Sequence, residues 1–243
     1  MQTEAHVYAL AVSASVLLSF YPFLMVMISF CRDVLHSPAA VNAINLALGD
    51  FFAGEAGEFL VRNLQSWMVP QLHLTSMFLL LFTANGIFEP LEVALNRAWG
   101  VTENRSYLKN QLISLGLIFL CGGLALISLM LTASVSSVSG SLVFKIAAVP
   151  VSMLALFLVY WLLPNRKIDP RRVVPVAFFV GLALEALKYV NILLAPMLTE
   201  KLKNEYQIFR FSVTILLWSF ASALIVLAGA HWTARQDQQD PLS

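Results

Sequence analysis

Apolar residues run in long blocks divided by short polar stretches, and block length sets the first reading. A helix rises about 1.5 Å per residue, so about 20 apolar residues cross a bilayer. Blocks of that length fall at about 6–31, 72–97, 111–133, 143–163, 173–195 and 208–230. The pattern predicts an all-α polytopic membrane protein. Its single membrane domain, residues 1–235, has six transmembrane helices, and residues 236–243 form a flexible tail. The first block has no basic residue before it, so it reads as an uncleaved helix rather than a signal peptide. Ala11, Ser15 and Ser19 recur every fourth residue and predict a face for close helix contact. Pro22 frees the carbonyl of Leu18, and Pro90 in the second block frees that of Gly86, so both mark expected kinks.

Between the first two blocks lies the longest polar-bearing segment, residues 32–71. Ser37-Pro38 has the form of a helix N-cap followed by proline at the first helical position. A short amphipathic stretch over Val41–Leu48 should follow and break at Gly49-Asp50. Phe52, Phe59, Leu60, Leu64 and Trp67 alternate with Glu55, Glu58, Arg62 and Asn63, which predicts an external amphipathic helix in the interface plane. Toward the other end of the chain, Leu198–Tyr206 reads as a charged turn.

Composition agrees with the pattern. The 243 residues are 59% hydrophobic and 12% charged, against about 25% charged in soluble domains. The net charge of +1 says little about partners, but the placement of charges says more. The loop between the fourth and fifth spans is short and holds Arg166, Lys167, Arg171 and Arg172. Under the positive-inside rule this loop is cytoplasmic, and with six spans so are both termini. The expected location is the cytoplasmic (inner) membrane of a bacterium. Cys31 and Cys121 lie in or beside apolar blocks without metal or redox spacing, and the four histidines are scattered. No metal site or cofactor is expected.

Candidate chemistry comes from polar residues inside apolar blocks. In the fifth span, Glu185 and Lys188 stand three apart on one helix face, with Gly181 one turn before and Asn191 just beyond. A charge at the centre of the hydrocarbon costs about 2.5–3.5 kcal/mol on the cheaper scales. Two readings stay open: a working pair, or a local pair whose charges compensate. In the second span, Asn85, Glu89, Glu92 and Asn96 form a stripe at 4, 3, 4 spacing, followed by Arg97. A buried role is expected for Glu89, while Glu92 stays open between a place in the polar stripe and one among the headgroups.

Several stretches, in order, resemble the YihY/BrkB family of bacterial inner-membrane proteins, once labelled ribonuclease BN. Leu18-Ser19-Phe20-Tyr21-Pro22-Phe23-Leu24 resembles its LSxxPxL. Ala94-Leu95-Asn96-Arg97-Ala98-Trp99-Gly100-Val101 resembles its ALNRxxGV. Leu163-Pro164-Asn165-Arg166-Lys167, then Pro175, resembles its LPNR…P. Glu185-Ala186-Leu187-Lys188 resembles its WExxK, with Leu184 where the family often has Trp. Leu216-Leu217-Trp218 with Leu227-Ala228-Gly229-Ala230 resembles its LLW…LxGA, although Phe209-Arg210 replaces Tyr-Gly and His231 replaces an acid. The resemblance implies six spans. A ribonuclease is not expected, because the chain lacks clustered carboxylates with His and a basic aromatic surface.

The polar set predicts a transporter or flippase-like protein for an anionic lipid or amphiphile. Glu89, Glu92, Asn96, Arg97, Glu185, Lys188 and Asn191 would bind substrate or ion, and Arg166, Lys167, Arg171 and Arg172 would contact anionic membrane lipid. The alternative is a non-catalytic scaffold or accessory subunit of an envelope complex. No nucleic-acid partner is expected, and a homo-oligomer is left open.

Overall fold

The computed structural model describes residues 2–51, 60–63, 88–101, 106–133, 141–166, 168–206 and 209–239. All of its regular structure among these residues is helical. Helix α1 spans Gln2–Ser29 and ends in a π turn, Phe30–Val34. Helix α2 spans Pro38–Phe51, and α3 is described over 88–98. Then come α4 (Tyr107–Ala133), α5 (Ser141–Leu162), α6 (Pro170–Tyr206) and α7 (Arg210–Gln239). The family of partners runs α2–α4–α5–α6–α7–α1. It closes on itself where Phe23 and Met27 of α1 approach Gly122 of α4, the ring of Phe23 lying 3.2 Å from where a Cβ would stand.

Two apolar cores hold the bundle, one at each end. The first joins Ala9 and Val12 of α1, Leu91 and Leu95 of α3, Leu117 of α4, Tyr160 of α5, Val173 and Val176 of α6, and Leu227 and Ala230 of α7. The starts of α1, α4 and α6 therefore meet the ends of α3, α5 and α7. Both ends of the described chain lie at this end, called here the terminal end. The second core joins Leu24 and Cys31 of α1, Ala40 and Ile44 of α2, Leu126 of α4 and Ile215 of α7 at the far end. Outside the cores the bundle presents large apolar side chains such as Phe178, Phe179, Leu193, Met197 and Leu217. That surface suits lipid, because a helix satisfies most of its backbone groups within its own segment.

Among the described residues, four helical stretches are long and apolar enough to cross a membrane: Ala5–Val34, Leu108–Ser128, Pro170–Asn191 and Arg210–Ala234. The described apolar part of α5, Met153–Leu162, is shorter. The first part of the expected second span, 72–87, lies outside the described residues, as do 52–59 and 64–71 of the external segment. Of that segment, 60–63 are helical, and Leu60 is buried in the second core.

Local signals account for the helix ends. Ser37 caps α2 through its Oγ, which accepts the Ala40 N–H at 3.3 Å, with Pro38 as the first helical residue. Asp169 does the same for α6, its Oδ1 accepting the Arg171 N–H at 2.9 Å ahead of the first turn begun by Pro170. Two expectations are corrected. Helix α2 runs through Gly49-Asp50 to Phe51, because Ala40, Ile44 and Leu48 are buried and outweigh the cost of about 1 kcal/mol for one glycine. The expected charged turn at Leu198–Tyr206 is helical and continues α6 through Pro196; Glu, Lys and Leu are strong helix formers, and Leu202 is buried. Helix α7 extends to Gln239, and within it buried Thr233 donates its Oγ1 hydroxyl to the Gly229 carbonyl at 2.9 Å. In α1, which runs unbroken through Pro22, the most buried polar residues are Ser13 and Ser19. Each donates its hydroxyl to the carbonyl four residues back, Ala9 and Ser15 respectively.

Candidate functional site

The last turn of α3 is built by its own sequence. Gly100 adopts φ +67°, in the left-handed region that favours glycine. The Gly100 N–H donates to the Arg97 carbonyl at 3.1 Å and the Val101 N–H to the Asn96 carbonyl at 2.8 Å, a Schellman cap. Nothing lies within 4 Å of a Cβ added at Gly100. Gly100→Ala is therefore expected to cost only the left-handed backbone penalty, about 1–2 kcal/mol, measured as a small drop in thermal stability in detergent.

That cap positions Asn96 and Trp99, three residues apart and both buried. The loop between α5 and α6 docks on them. The Asn165 N–H donates to Asn96 Oδ1 at 2.7 Å. Arg166 Nη1 donates to the Trp99 carbonyl at 3.3 Å, and its guanidinium lies 5.9 Å from the centre of the Trp99 ring. Leu163 and Pro164 fill the first core beneath the loop. Two motifs 69 residues apart in sequence thus meet at the terminal end. On the other side of α3, Arg97 is exposed, with its guanidinium 5.7 Å from the centre of the Tyr8 ring of α1.

The stripe on α3 divides. Glu92 is 5% exposed and Asn96 3%. Glu89 is exposed, which corrects the expectation of a buried role. Phe88, Leu91 and Leu95 take the inward face and turn Glu89 to the rim. Arg171 is exposed and Arg172 half-buried at the start of α6, while Lys167 lies outside the described residues.

Deep in α6, Lys188 Nζ lies 3.6 Å from Glu185 Oε1. Counted from Arg172 along the helix, the pair is about 20–24 Å away, within the stretch Pro170–Asn191 that is long and apolar enough to cross a membrane. Its side chains are not sealed: Glu185 is 36% exposed and Lys188 55%. Gly181, one turn earlier, is buried against α5, where a Cβ would stand 2.9 Å from Met153 Cγ. Asn191 is buried. Among the described residues, no hydrogen bond or ion pair links Glu89 with Glu185 or Lys188, and no three of His, Cys, Asp and Glu are grouped to hold a metal.

Sequence reasoning passed over the roles of Tyr160 and Trp99. The Tyr160 hydroxyl donates to the Val226 carbonyl at 2.6 Å, tying α5 to α7. A lone Tyr late in an apolar span was the available signal, since a buried hydroxyl needs a partner. For Trp99 the signal was its helical spacing from Asn96.

Comparison with known proteins gives this geometry its family. The model of the family described as Virulence factor BrkB matches residues 1–242. The chain belongs to the BrkB family. This BrkB-family chain is also similar to a UPF0761 membrane protein of Acinetobacter baylyi, 27% identical over 184 residues. That match takes in 70% of the chain and 44% of the relative, so the chain spans less than half of the relative's length. No solved structure matches the BrkB-family chain. The docked seam at the terminal end is made by two of the five stretches that carried the resemblance, around Asn96–Gly100 and Leu163–Arg166.

Proposed function

We propose that this BrkB-family membrane protein is a transporter or flippase-like protein that moves an anionic lipid or amphiphile. The observation that carries the reading is the Glu185–Lys188 pair: an ion pair well inside an apolar helix, with both side chains open at the flank of the bundle. A pair serving only as glue between helices would be sealed between them, where its polar groups exclude lipid. An open ammonium inside hydrocarbon offers a resting place to a headgroup phosphate, and Glu185 holds Lys188 in place between substrates. The exposed Arg166 in the loop before this helix and Arg171 in its first turn would gather anionic headgroups at the membrane surface. We infer a bacterial inner membrane with both termini cytoplasmic, on the strength of four basic residues, Arg166 and Lys167 before α6 and Arg171 and Arg172 in its first turn. The polar residues are assigned to binding and transfer, and none to catalysis.

The reading is tested with the purified protein in vesicles carrying a trace of fluorescent lipid in both leaflets. A membrane-impermeant quencher reports transfer between leaflets. Fluorescent phosphatidylglycerol is expected to equilibrate at least about tenfold faster than in protein-free vesicles, and phosphatidylcholine to lag it, since a charge-assisted contact separates them. Equal, protein-independent rates for both lipids would remove the proposal.

A further inference from the structure

Asn191 has no task in the transfer reading, yet it stands where a headgroup held at Lys188 would reach next. Glu185, Lys188 and Asn191 are each three apart, and such a row winds around a helix instead of keeping to one face. The row starts on the open flank and turns inward: the Lys188 side chain is 55% exposed, and Asn191 only 5%. Among the described residues the Asn191 amide makes no hydrogen bond. A buried amide without partners is costly and rare in native proteins. Its cover is thin, since Leu194, next in the row, is exposed again. Helix α5 accounts for where the row opens. It closes on α6 at Gly181, where a Cβ would stand 2.9 Å from Met153 Cγ and 3.6 Å from Leu156 Cδ1. Lys188 lies seven residues on, within about 20° of the same line, and is open. The line of α6 that α5 seals at Gly181 is thus free by Lys188, and Asn191 follows within one turn.

The geometry points to Asn191 as the residue that selects the headgroup, favouring a phosphate that carries hydroxyl groups over a bare one. Lys188 only donates, so it suits a phosphate oxygen, which only accepts. An amide both donates and accepts, as a hydroxyl does. Three residues advance the helix by about 4.5 Å, so the amide stands within reach of a group attached to a phosphate at Lys188. A glycerol headgroup, with hydroxyls on the carbons beyond its phosphate, answers both residues at once. Phosphatidic acid, which ends at the phosphate, answers Lys188 alone. The row opens sideways along the apolar stretch Pro170–Asn191, so membrane lipid is the source. The assignment takes its cargo from the transport reading, whereas the preference itself is a property of binding.

The test sets phosphatidylglycerol against phosphatidic acid. A lone cation favours phosphatidic acid, since a phosphate monoester carries a charge of about −1.5 to −2 at pH 7, and the amide reverses that order. In vesicles containing the unchanged protein, fluorescent phosphatidylglycerol is expected to cross about fivefold faster than phosphatidic acid, after subtraction of protein-free rates. Asn191→Leu should cut that ratio about fivefold, as loss of one hydrogen bond would. Its thermal stability should be unchanged or raised, because the amide has no partner in the protein to lose. Asn191→Gln keeps an amide and should keep part of the preference. A residue that only holds helices together would instead lower stability and slow both lipids alike. Native mass spectrometry of the protein in detergent, with the two lipids mixed in equal amounts, reads binding without flux. Selective retention of phosphatidylglycerol by the unchanged protein and not by Asn191→Leu, with no flux in vesicles, supports the assignment and sinks the transport reading alone. Flux without a preference for phosphatidylglycerol, or a ratio that Asn191→Leu leaves as it was, overturns the assignment alone. If Asn191→Leu fails to assemble, the order of the two lipids in the unchanged protein and in Asn191→Gln decides the matter.

Discussion

Gly229→Val is expected to abolish the folded protein or lower its stability by more than about 3 kcal/mol, read as loss of the monodisperse peak or of thermal stability in detergent. A Cβ at Gly229 would collide with Val180 Cγ2, stand 2.7 Å from Tyr160 Oη and 3.3 Å from Val176 Cγ1. Three helices, α5, α6 and α7, meet at that point. The added side chain must therefore spread the helices or push Tyr160 off the Val226 carbonyl, which strands a buried hydroxyl. Gly229→Ala should be milder, and Val180→Ala should partly rescue it by opening the tightest contact. Gly123→Ala is the control: nothing lies within 4 Å of its Cβ, so it should be neutral or gain about 0.5–1 kcal/mol of helix propensity. Equal losses at Gly229 and Gly123 would contradict the packing.

The second large effect concerns the pair on α6. Lys188→Met leaves Glu185 without its partner at 3.6 Å inside an apolar helix. The expected loss is about 2–3 kcal/mol, the cost of one uncompensated charge in hydrocarbon, or of the proton uptake that neutralises it. Glu185→Gln with Lys188→Met removes both charges and should restore stability to near that of the unchanged protein. Denaturant unfolding in bicelles separates the two variants. If the single and double variants are equally stable, the pair is not an interacting unit.

Much of the fold could be read from local chemistry. Ser37-Pro38 and Asp169-Pro170 start their helices because an oxygen acceptor and a preset φ are needed there, and both needs are written in adjacent residues. Gly100 ends α3 for a similarly local reason. The membrane class followed from block length alone, and the family from ordered motifs that the match over residues 1–242 supports. Direction and distance were harder. The 4, 3, 4 spacing grouped Glu89, Glu92 and Asn96 but could not say which edge of the stripe faces inward, and it is Glu92 and Asn96 that are buried. The helical end of α6 was hidden because charge suggested a turn, whereas Glu200, Lys201 and Lys203 are also good helix formers. The contacts that make the terminal-end seam and the Tyr160 tie join residues 69, 67 and 66 apart, and no local pattern encodes such pairings.

The central claim is that the open charge pair on α6 serves transfer of an anionic lipid. It is tested most directly by phosphatidylglycerol flux in vesicles containing the Glu185→Gln, Lys188→Met double variant, beside the unchanged protein at equal reconstitution. The account predicts a stable, well-assembled variant whose flux falls at least about tenfold, because the headgroup loses the Lys188 ammonium. A double variant that is equally stable and carries phosphatidylglycerol at the unchanged rate would contradict it.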